Sequence, residues 1–269
     1  MKYLPLVLIT LGVANGAVAG DTYIRNGQIY NNEGGWIAEF GASYASDLYK
    51  QEKSTYKFGF GSKNRFGPVL NAGYHGEDFN FDLRGGVNYR FFGETGDAVN
   101  LSAYVGSSGI YRDKDLADSL KGTDKRYPSL DLGLNMDLQV APQGTLSSYI
   151  QHDVSGQYKS YVAGMRYYQI INIGKVDFVP FAGIRYNSAK FNNHYFGINK
   201  KEATKTRPLY EAKAGFNYEL GYKLVVPLSE NWSVSQKTTF TRLSKQIANS
   251  PVVEGRNQWM ASVLASYRF

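Results

Sequence analysis

The sequence predicts an all-β fold, a transmembrane antiparallel β-barrel of about twelve strands. Long segments alternate apolar and polar residues with a period of two, which is the side-chain period of a β-strand. Aromatic residues and glycine are abundant, with 22 Tyr, 15 Phe and 29 Gly in 269 residues, as strands and tight turns favour. The connections between the segments are alternately short and long, which is typical of a membrane barrel.

The N-terminus has the layout of a secretory signal peptide. Lys2 precedes an apolar run from Leu4 to Val13, and Ala17-Val18-Ala19 supplies the small residues of a cleavage site. The run is shorter than the roughly 20 residues that a membrane-spanning helix needs. We therefore predict a cleaved signal peptide at residues 1–19, a periplasmic N-terminal segment at 20–35 and the barrel at 36–269.

Four segments alternate most clearly. From Asp78 to Phe91 the odd residues are apolar or glycine and the even residues are polar or glycine. Residues 130–140, 176–186 and 210–226 follow the same pattern, which a helix would spread around its circumference. Further alternation predicts strands at Trp36–Tyr49, Thr55–Gly61, Phe66–Tyr74, Val99–Arg112, Leu146–Asp153, Tyr158–Ile171, Trp232–Leu243 and Asn257–Phe269. The even total places both termini on the periplasmic side of a barrel.

The connection lengths provide an independent argument for the same topology. The long connections all fall on one side, at Asp113–Lys125, Ser188–Arg207 and Ser244–Arg256. Short turns fall on the other side, at Ser62–Arg65, Gly93–Asp97, Ala141–Gly144, Asn172–Lys175 and Pro227–Asn231. Outer-membrane barrels have short periplasmic turns and longer outer loops. A soluble β-sandwich is the competing fold, but its strands are usually shorter than those read here.

Composition and charge argue against several other functions. The chain has no cysteine, which excludes disulfides and thiolate metal sites. Its net charge is +7, but the 30 basic and 23 acidic residues are scattered, so we expect no nucleic-acid binding. His75, His152 and His194 stand without an accompanying set of catalytic groups. We therefore expect neither enzyme activity nor a cofactor or bound metal.

The polar faces of the strands supply candidate lumen residues. These are Arg84, Arg90, Asp131, Asp137, Arg185, Glu211, Lys213, Glu219 and Lys223. Their mixed signs favour cross-strand ion pairs that fill a narrow lumen, and a diffusion pore remains the alternative.

The long segment Ser188–Arg207 is basic and supplies candidate extracellular contacts. These are Lys190, His194, Tyr195, Phe196, Lys200 and Lys201. They would contact lipopolysaccharide phosphates or a host surface, or form a solvated loop.

The C-terminal third also carries motifs. They are Tyr186-Asn187, Asn193-His194-Tyr195-Phe196-Gly197-Ile198, Glu202-Ala203, Tyr210, Leu228, Glu230-Asn231-Trp232, Arg242-Leu243, Ala248-Asn249-Ser250-Pro251-Val252-Val253 and Ser266-Tyr267-Arg268-Phe269. Through them, residues 176–269 resemble the MipA/OmpV family of outer-membrane proteins.

The resemblance implies a barrel in the outer membrane of a Gram-negative bacterium, in contact with its lipid and lipopolysaccharide. It also implies a scaffold linking a lytic murein transglycosylase to a penicillin-binding murein synthase in peptidoglycan synthesis. Other members of the family resemble surface antigens or adhesins. For a scaffold we expect the periplasmic contacts at Tyr23, Arg25 and Tyr30.

Overall fold

The computed structural model describes residues 22–31, 34–51 and 65–269. Within these ranges, no helix is both long and apolar enough to span a membrane. The predicted signal peptide and the predicted strand Thr55–Gly61 lie outside the described residues. The strands are β1 Thr22–Arg25, β2 Gln28–Asn31, β3 Gly35–Ala45, β4 Arg65–His75, β5 Phe79–Asp82, β6 Gly86–Phe92, β7 Val99–Ser108, β8 Ser129–Ala141, β9 Gly144–Asp153, β10 Tyr161–Gln169, β11 Ile171–Ile173, β12 Val176–Asn187, β13 Gly215–Pro227, β14 Trp232–Arg242 and β15 Asn257–Arg268. The helices are α1 Ala189–Phe196 and α2 Lys245–Ala248, with one 3₁₀ turn at Asp118–Leu120.

The strands from β3 to β15 close into an antiparallel barrel. The final strand, β15, pairs with β3. The other end of the sheet closes where β10 pairs with β12. β11 is a three-residue segment that continues β10 along β12, so the described wall has twelve strand positions. This confirms the predicted fold class.

The two faces of the wall differ in polarity, as the alternation predicts. On β8, Leu132 and Leu134 point outward and are 54% and 55% exposed. Their neighbours Asp131 and Asp137 point inward and are 0% and 3% exposed. An apolar outer band around a polar interior is the arrangement that a lipid bilayer requires of a barrel.

The two ends of the barrel differ in their connections. Residues 76–78, 93–98, 142–143, 170–175 and 228–231 make short links at one end, which we call the short-turn end. Residues 109–128, 188–214 and 243–256 make long links at the other, which we call the long-loop end. The three long connections and the short turns from Gly93 onward agree with the prediction from sequence. The predicted short turn Ser62–Arg65 does not: its last residue, Arg65, begins β4 opposite Ala45 at the long-loop end, and its other residues lie outside the described ranges.

One predicted strand is wrong in detail. The segment Asp78–Phe91 is a hairpin of β5 and β6 that turns at Leu83-Arg84-Gly85, only partway along the wall. Asp82 Oδ1 accepts from the backbone N of Arg84 and Gly85 at 2.8 and 2.6 Å, and Gly86 has a φ of +79°. The turn keeps the odd residues outward in both strands, which is why the sequence reads as a single strand. His75 consequently lies at the short-turn end rather than in an outer loop.

The β5–β6 hairpin also interrupts the wall. Residues 65–71 of β4 and 107–108 of β7 have no strand partner on the side facing this hairpin within the described residues. Arg84 lies in the β5–β6 turn, next to these unpaired parts of β4 and β7.

The long-loop end carries a packed cap with its own apolar core. We define the cap as residues 46–51, 109–128, 188–214 and 243–256. Twelve buried apolar residues of the cap and two of the adjoining wall, Tyr158 and Val162, form its described core. The twelve are Tyr49, Ala117, Leu120, Phe191, Tyr195, Phe196, Ile198, Ala212, Leu243, Ile247, Val252 and Val253. Ser188 caps the N-terminus of α1 by accepting from Phe191 N at 3.3 Å.

Candidate functional site in the barrel lumen

The N-terminal segment forms a tight hairpin. β1 and β2 pair in register from Thr22 opposite Asn31 to Arg25 opposite Gln28. The linking residues, Asn26 and Gly27, have φ angles of +47° and +63°. Asn-Gly is the preferred sequence for a two-residue turn with positive φ at both positions. This short segment therefore folds locally into a compact β-ribbon, which we call the plug.

The plug lies inside the barrel, where it bonds to inward-facing groups of many strands. Thr22 Oγ1 donates to Asp177 of β12 at 2.6 Å, and Asn26 N donates to Asp137 of β8 at 2.7 Å. Tyr168 of β10 donates to the Gly27 carbonyl. The other wall contacts are Asn88 Nδ2 to Tyr30 Oη at 3.1 Å, Asn31 Nδ2 to Ser233 Oγ at 3.0 Å, Lys223 Nζ to the Ile29 carbonyl at 3.1 Å and Arg25 Nη1 to the Gly76 carbonyl at 2.5 Å.

This position corrects the expected role of the N-terminal segment. Arg25 and Tyr30 are 2% and 3% exposed, and Tyr23 stacks on Tyr30 with ring centroids 5.4 Å apart. The physical reason is that Ile24 and Ile29 pack against a small apolar cluster of the wall, Tyr168, Val179 and Phe181. A protein partner cannot reach Arg25 or Tyr30 in this conformation. The Asn26-Gly27 turn between two alternating tetrapeptides was the sequence signal for the hairpin.

Several predicted lumen residues do face inward. Asp137 holds the plug, and Asp131 accepts from Ser108, Gln151 and Tyr158. Arg90 is 3% exposed and donates to Asp78 at 2.9 Å. Arg185 donates to Asn187 at 2.9 Å and lies over the Phe191 ring.

Two of the predicted lumen residues form described ion pairs, and Arg90 does so with Asp78, 2.8 Å away. Glu219 of β13 pairs with Arg166 of β10, which we did not predict. Arg166 was the single charge on the even face of its weakly alternating strand, and that was the signal for it.

Two predicted lumen residues lie elsewhere. Glu211 and Lys213 are exposed residues of the cap, because β13 begins at Gly215 and not at Tyr210. Tyr210 instead pairs with Ile198, and Ala212 packs into the cap core. The alternation of residues 210–214 thus reflects packing under the cap rather than a strand.

A polar cavity of about 390 Å³ lies beside the plug. The plug residues Gln28–Asn31 form one side of it. The rest is lined mainly by inward side chains of β3, β4, β5, β10, β13, β14 and β15, with Arg84 of the β5–β6 turn. Its described lining carries more basic than acidic groups: Arg84, Arg166, Lys223, Lys237 and Arg268 against Glu39 and Asp82. A second cavity of about 210 Å³ lies on the other side of Gly27 and shares Arg84 and Arg166.

The candidate extracellular residues divide between the surface and the interior of the cap. Lys190, Lys200 and Lys201 are exposed. Tyr195 and Phe196 are 0% and 3% exposed and belong to the cap core. They therefore stabilise the cap and are not available as surface contacts.

His194 is partly buried at the cap. Burial, together with the neighbouring Arg126 guanidinium, lowers the pKa of His194 to about 4. Its imidazole is therefore neutral near pH 7.

A buried ion pair ties the loops of the cap together. Arg112 and Glu202 are 0% and 2% exposed, and Arg112 Nη2 lies 3.2 Å from Glu202 Oε1. The same oxygen accepts from Arg126 Nη2 at 3.0 Å and from Asp124 N at 2.9 Å. Arg112 Nη1 also donates to the carbonyls of Tyr195 and Gly197. The pair therefore links segment 109–128 to segment 188–214.

No group of three His, Asp or Glu side chains in residues 22–31, 34–51 and 65–269 has an arrangement suited to a metal ion.

Comparison with known proteins identifies a family model and several relatives that match this chain. A family model described as MltA-interacting protein MipA matches residues 26–269. Outer membrane protein OmpV of Vibrio cholerae is 48% identical over 269 residues, and Omp26La of Vibrio anguillarum is 46% identical, each covering 100% of both chains. MltA-interacting protein of Escherichia coli is 26% identical over 214 residues, or 75% of this chain and 80% of that protein.

Among solved structures, the outer membrane channel DcaP of Acinetobacter baumannii aligns with 88% of this chain and 96% of its own. The identity is 10% and the TM-score 0.37, which is too low to bear on function. The barrel and the full-length relatives define an outer-membrane β-barrel protein. The chain belongs to the MltA-interacting protein family, MipA, as the C-terminal motifs indicated.

Proposed function

We propose that this protein is an outer-membrane scaffold for peptidoglycan synthesis, which holds a lytic murein transglycosylase beside a bifunctional murein synthase. The family model and the Escherichia coli relative are both named for interaction with MltA. Murein enzymes work in the periplasm, and short turns are the periplasmic side of outer-membrane barrels. The proposed contact surface is therefore the short-turn end.

The plug is the observation that carries this proposal. It occupies part of the lumen at the short-turn end, beside the cavity of about 390 Å³, and bonds to strands from β6 to β14. The cap covers the long-loop end with a packed core. A barrel closed in this way offers its outer surfaces to other proteins, whereas an unobstructed lumen would favour the alternative of a passive diffusion pore.

The burial of Arg25 and Tyr30 moves the proposed contact from the N-terminal segment to the exposed turns. Glu94 and Glu230 are exposed in two of these turns. They lie in the β6–β7 and β13–β14 links, which are separate parts of the short-turn rim. A partner that spans the rim would contact both.

Site-specific photocrosslinking in intact cells tests the scaffold. A photoreactive residue at Glu94 or Glu230 should capture a lytic transglycosylase, and the same residue at Lys200 or Glu254 of the cap should not. All four positions are exposed, so they form a matched set. Capture from the cap alone, or no transglycosylase from either turn in correctly assembled protein, would contradict the proposal.

The exposed lysines of the cap favour a second candidate, a contact with lipopolysaccharide phosphates. Lys190, Lys200 and Lys201 share the outer surface of segment 188–214, and ammonium groups attract phosphate by charge. Binding of purified lipopolysaccharide should fall when all three are replaced by Gln, and should weaken with added salt. Binding that neither the substitutions nor salt affects would exclude this contact.

A further inference from the structure

Two lysines lie directly opposite each other on neighbouring strands of the barrel wall. Lys223 of β13 and Lys237 of β14 are register partners, and both side chains point into the cavity of about 390 Å³. Like charges placed directly opposite each other on neighbouring strands are destabilising. This pairing therefore needs a compensating interaction or a function.

The described residues do not provide full compensation. Lys223 Nζ donates to the Ile29 carbonyl at 3.1 Å, which is a neutral acceptor. No hydrogen bond or ion pair joins Lys237 to any residue in 22–31, 34–51 or 65–269; its Nζ lies 5.4 Å from the Phe181 ring centroid. Among the charged groups that act most strongly on Lys237, Arg166, Lys223 and Arg84 are cations and Glu219 is an anion.

The nearby carboxylates are already bound to other donors. Glu219 pairs with Arg166. Glu39 accepts from Asn71 Nδ2 at 2.7 Å and from Ser266 Oγ at 2.8 Å. Asp82 accepts from the two backbone amides of its turn. Even with Arg166 paired to Glu219, the lining has four further cations, Arg84, Lys223, Lys237 and Arg268, against the two carboxylates Glu39 and Asp82.

Hydroxyl donors complete the lining. Ser262 of β15 is the register partner of Lys237 on its other side, and Ser235 lines the same cavity. Ammonium groups and hydroxyls directed at one space are the donors that bind oxyanions. The cavity volume is within the range of small-molecule sites, roughly 300–1,000 Å³.

We propose that this cavity binds a small solute through an oxyanion, a phosphate or carboxylate group, with Lys237 and Lys223 as the recognising cations. The site goes beyond the proposed scaffold role and does not depend on it. Because Gln28–Asn31 form one side of the cavity, an occupied site would also stabilise the plug.

Calorimetric titration of the full-length barrel in a zwitterionic detergent tests this site. The probes are inorganic phosphate and acetate, each compared with chloride at equal ionic strength. Wild-type protein should bind at least one of the two oxyanions, and Lys237→Gln should weaken this binding about tenfold or more because a charged hydrogen bond is lost. Lys237→Arg should retain it, and Lys200→Gln, at an exposed lysine of the cap, should leave it unchanged. Binding by neither oxyanion beyond chloride, or equal binding by Lys237→Gln, would overturn the proposal.

Thermal unfolding provides a readout that a merely structural lysine would not produce. Without oxyanion, Lys237→Gln should unfold at the same temperature as wild type or higher, because the repulsion from Lys223 is removed. The oxyanion that binds should raise the unfolding temperature of wild type and not of Lys237→Gln. A lower unfolding temperature for Lys237→Gln in chloride would show that the lysine stabilises the wall, and would count against the site. If Lys237→Gln fails to assemble, Lys223→Gln takes its place in the titration, where it should weaken binding in the same way; its unfolding temperature is not compared, because Lys223 also bonds to the plug.

Discussion

The plug and the cap close opposite ends of the same barrel by different physical means. The plug is a single ribbon of local sequence, held mainly by polar hydrogen bonds to the wall, with the small cluster Tyr168, Val179 and Phe181 beneath it. The cap joins distant segments of the chain around fourteen described core residues. Apolar burial contributes about 1.5–3 kcal/mol for a large side chain, and a hydrogen bond nets about 0.5–1.5 kcal/mol between neutral groups and about 1.5–3 kcal/mol where one group is charged, as at Asp137 and Asp177.

This difference implies different roles for the two closures. The cap cannot separate from the barrel without exposing its core, so it belongs to the cooperative fold. The plug could leave as one unit and exchange its wall contacts for water. Four experiments test whether the two closures differ in this way.

The largest effect is expected at the buried ion pair of the cap. Glu202→Gln leaves the buried Arg112 without its carboxylate partner and removes the nearer of the two carboxylates beside Arg126, and removal of one partner of a buried pair costs about 3–5 kcal/mol. Urea unfolding of the barrel in lipid vesicles measures this loss. Glu254→Gln, at an exposed position of the cap, is the control and should change stability little. A loss at Glu202 no greater than at Glu254 would contradict a cooperative cap.

A disulfide should lock the plug in the lumen. A Cβ added to Gly27 would lie 3.8 Å from Ser147 Cβ, which is close to the usual Cβ separation of a disulfide, about 3.8 Å. We expect Gly27→Cys with Ser147→Cys to crosslink under oxidising conditions and to stabilise the fold by about 2 kcal/mol or more, less the strain of Cys at positive φ. Since the chain has no native cysteine, non-reducing electrophoresis after proteolysis detects the bond directly.

The control for this crosslink pairs Gly27→Cys with Ser148→Cys. Ser148 is the next residue of β9 and points to the outer face. Crosslinking through residue 148, or none through residue 147, would place the plug elsewhere.

Deletion of residues 22–31 should uncover the wall without unfolding the barrel. Ser147 is 1% exposed beneath Gly27, so Ser147→Cys should react slowly with a water-soluble maleimide. The deletion should accelerate this reaction at least about tenfold, because local burial by the plug protects the thiol. Lys200→Cys on the cap is the control and should react at one rate in both backgrounds. If the deleted protein no longer assembles, the plug is part of the cooperative fold and the contrast with the cap fails.

The sequence was sufficient for most of the wall, apart from the β5–β6 hairpin and the start of β13, and insufficient for the two closures. In residues 130–140 and 176–186, apolar side chains on the outer face alternate with polar side chains on the lumen face, so the local sequence itself indicates which face each residue occupies. The burial of Arg25 depends on contacts with strands far along the chain, which period-two reading cannot detect. Tyr195 and Phe196 were read as surface residues for the same reason, because only the meeting of distant loops buries them. Lys237 could be placed on the lumen face from sequence, but its register opposite Lys223 required the pairing of β13 with β14.

The smallest effect concerns the pH dependence of the cap. The pKa of His194 is lowered to about 4 by burial and by Arg126, from an ordinary value of 6.5. The unfolded chain therefore takes up a proton between pH 6.5 and 4 that the folded cap does not, so stability falls as the pH is lowered through this window. The pKa of Asp113 is held at about 2 by Lys125 and Tyr111, so its contribution is lost only below the ordinary range of a carboxyl group.

His194→Gln should therefore remove part of the stability that the cap loses between neutral pH and about pH 5. Asp113 does not contribute to this loss, because it titrates at lower pH. The ring is partly exposed, so solvent screening keeps the difference below about 1 kcal/mol. Limited proteolysis of segment 188–214 at the two pH values measures it, with cleavage near residues 22–31 as an internal comparison. If the variant and the wild type lose stability equally at this segment on acidification, the cap does not hold the His194 imidazole neutral, and the prediction is wrong.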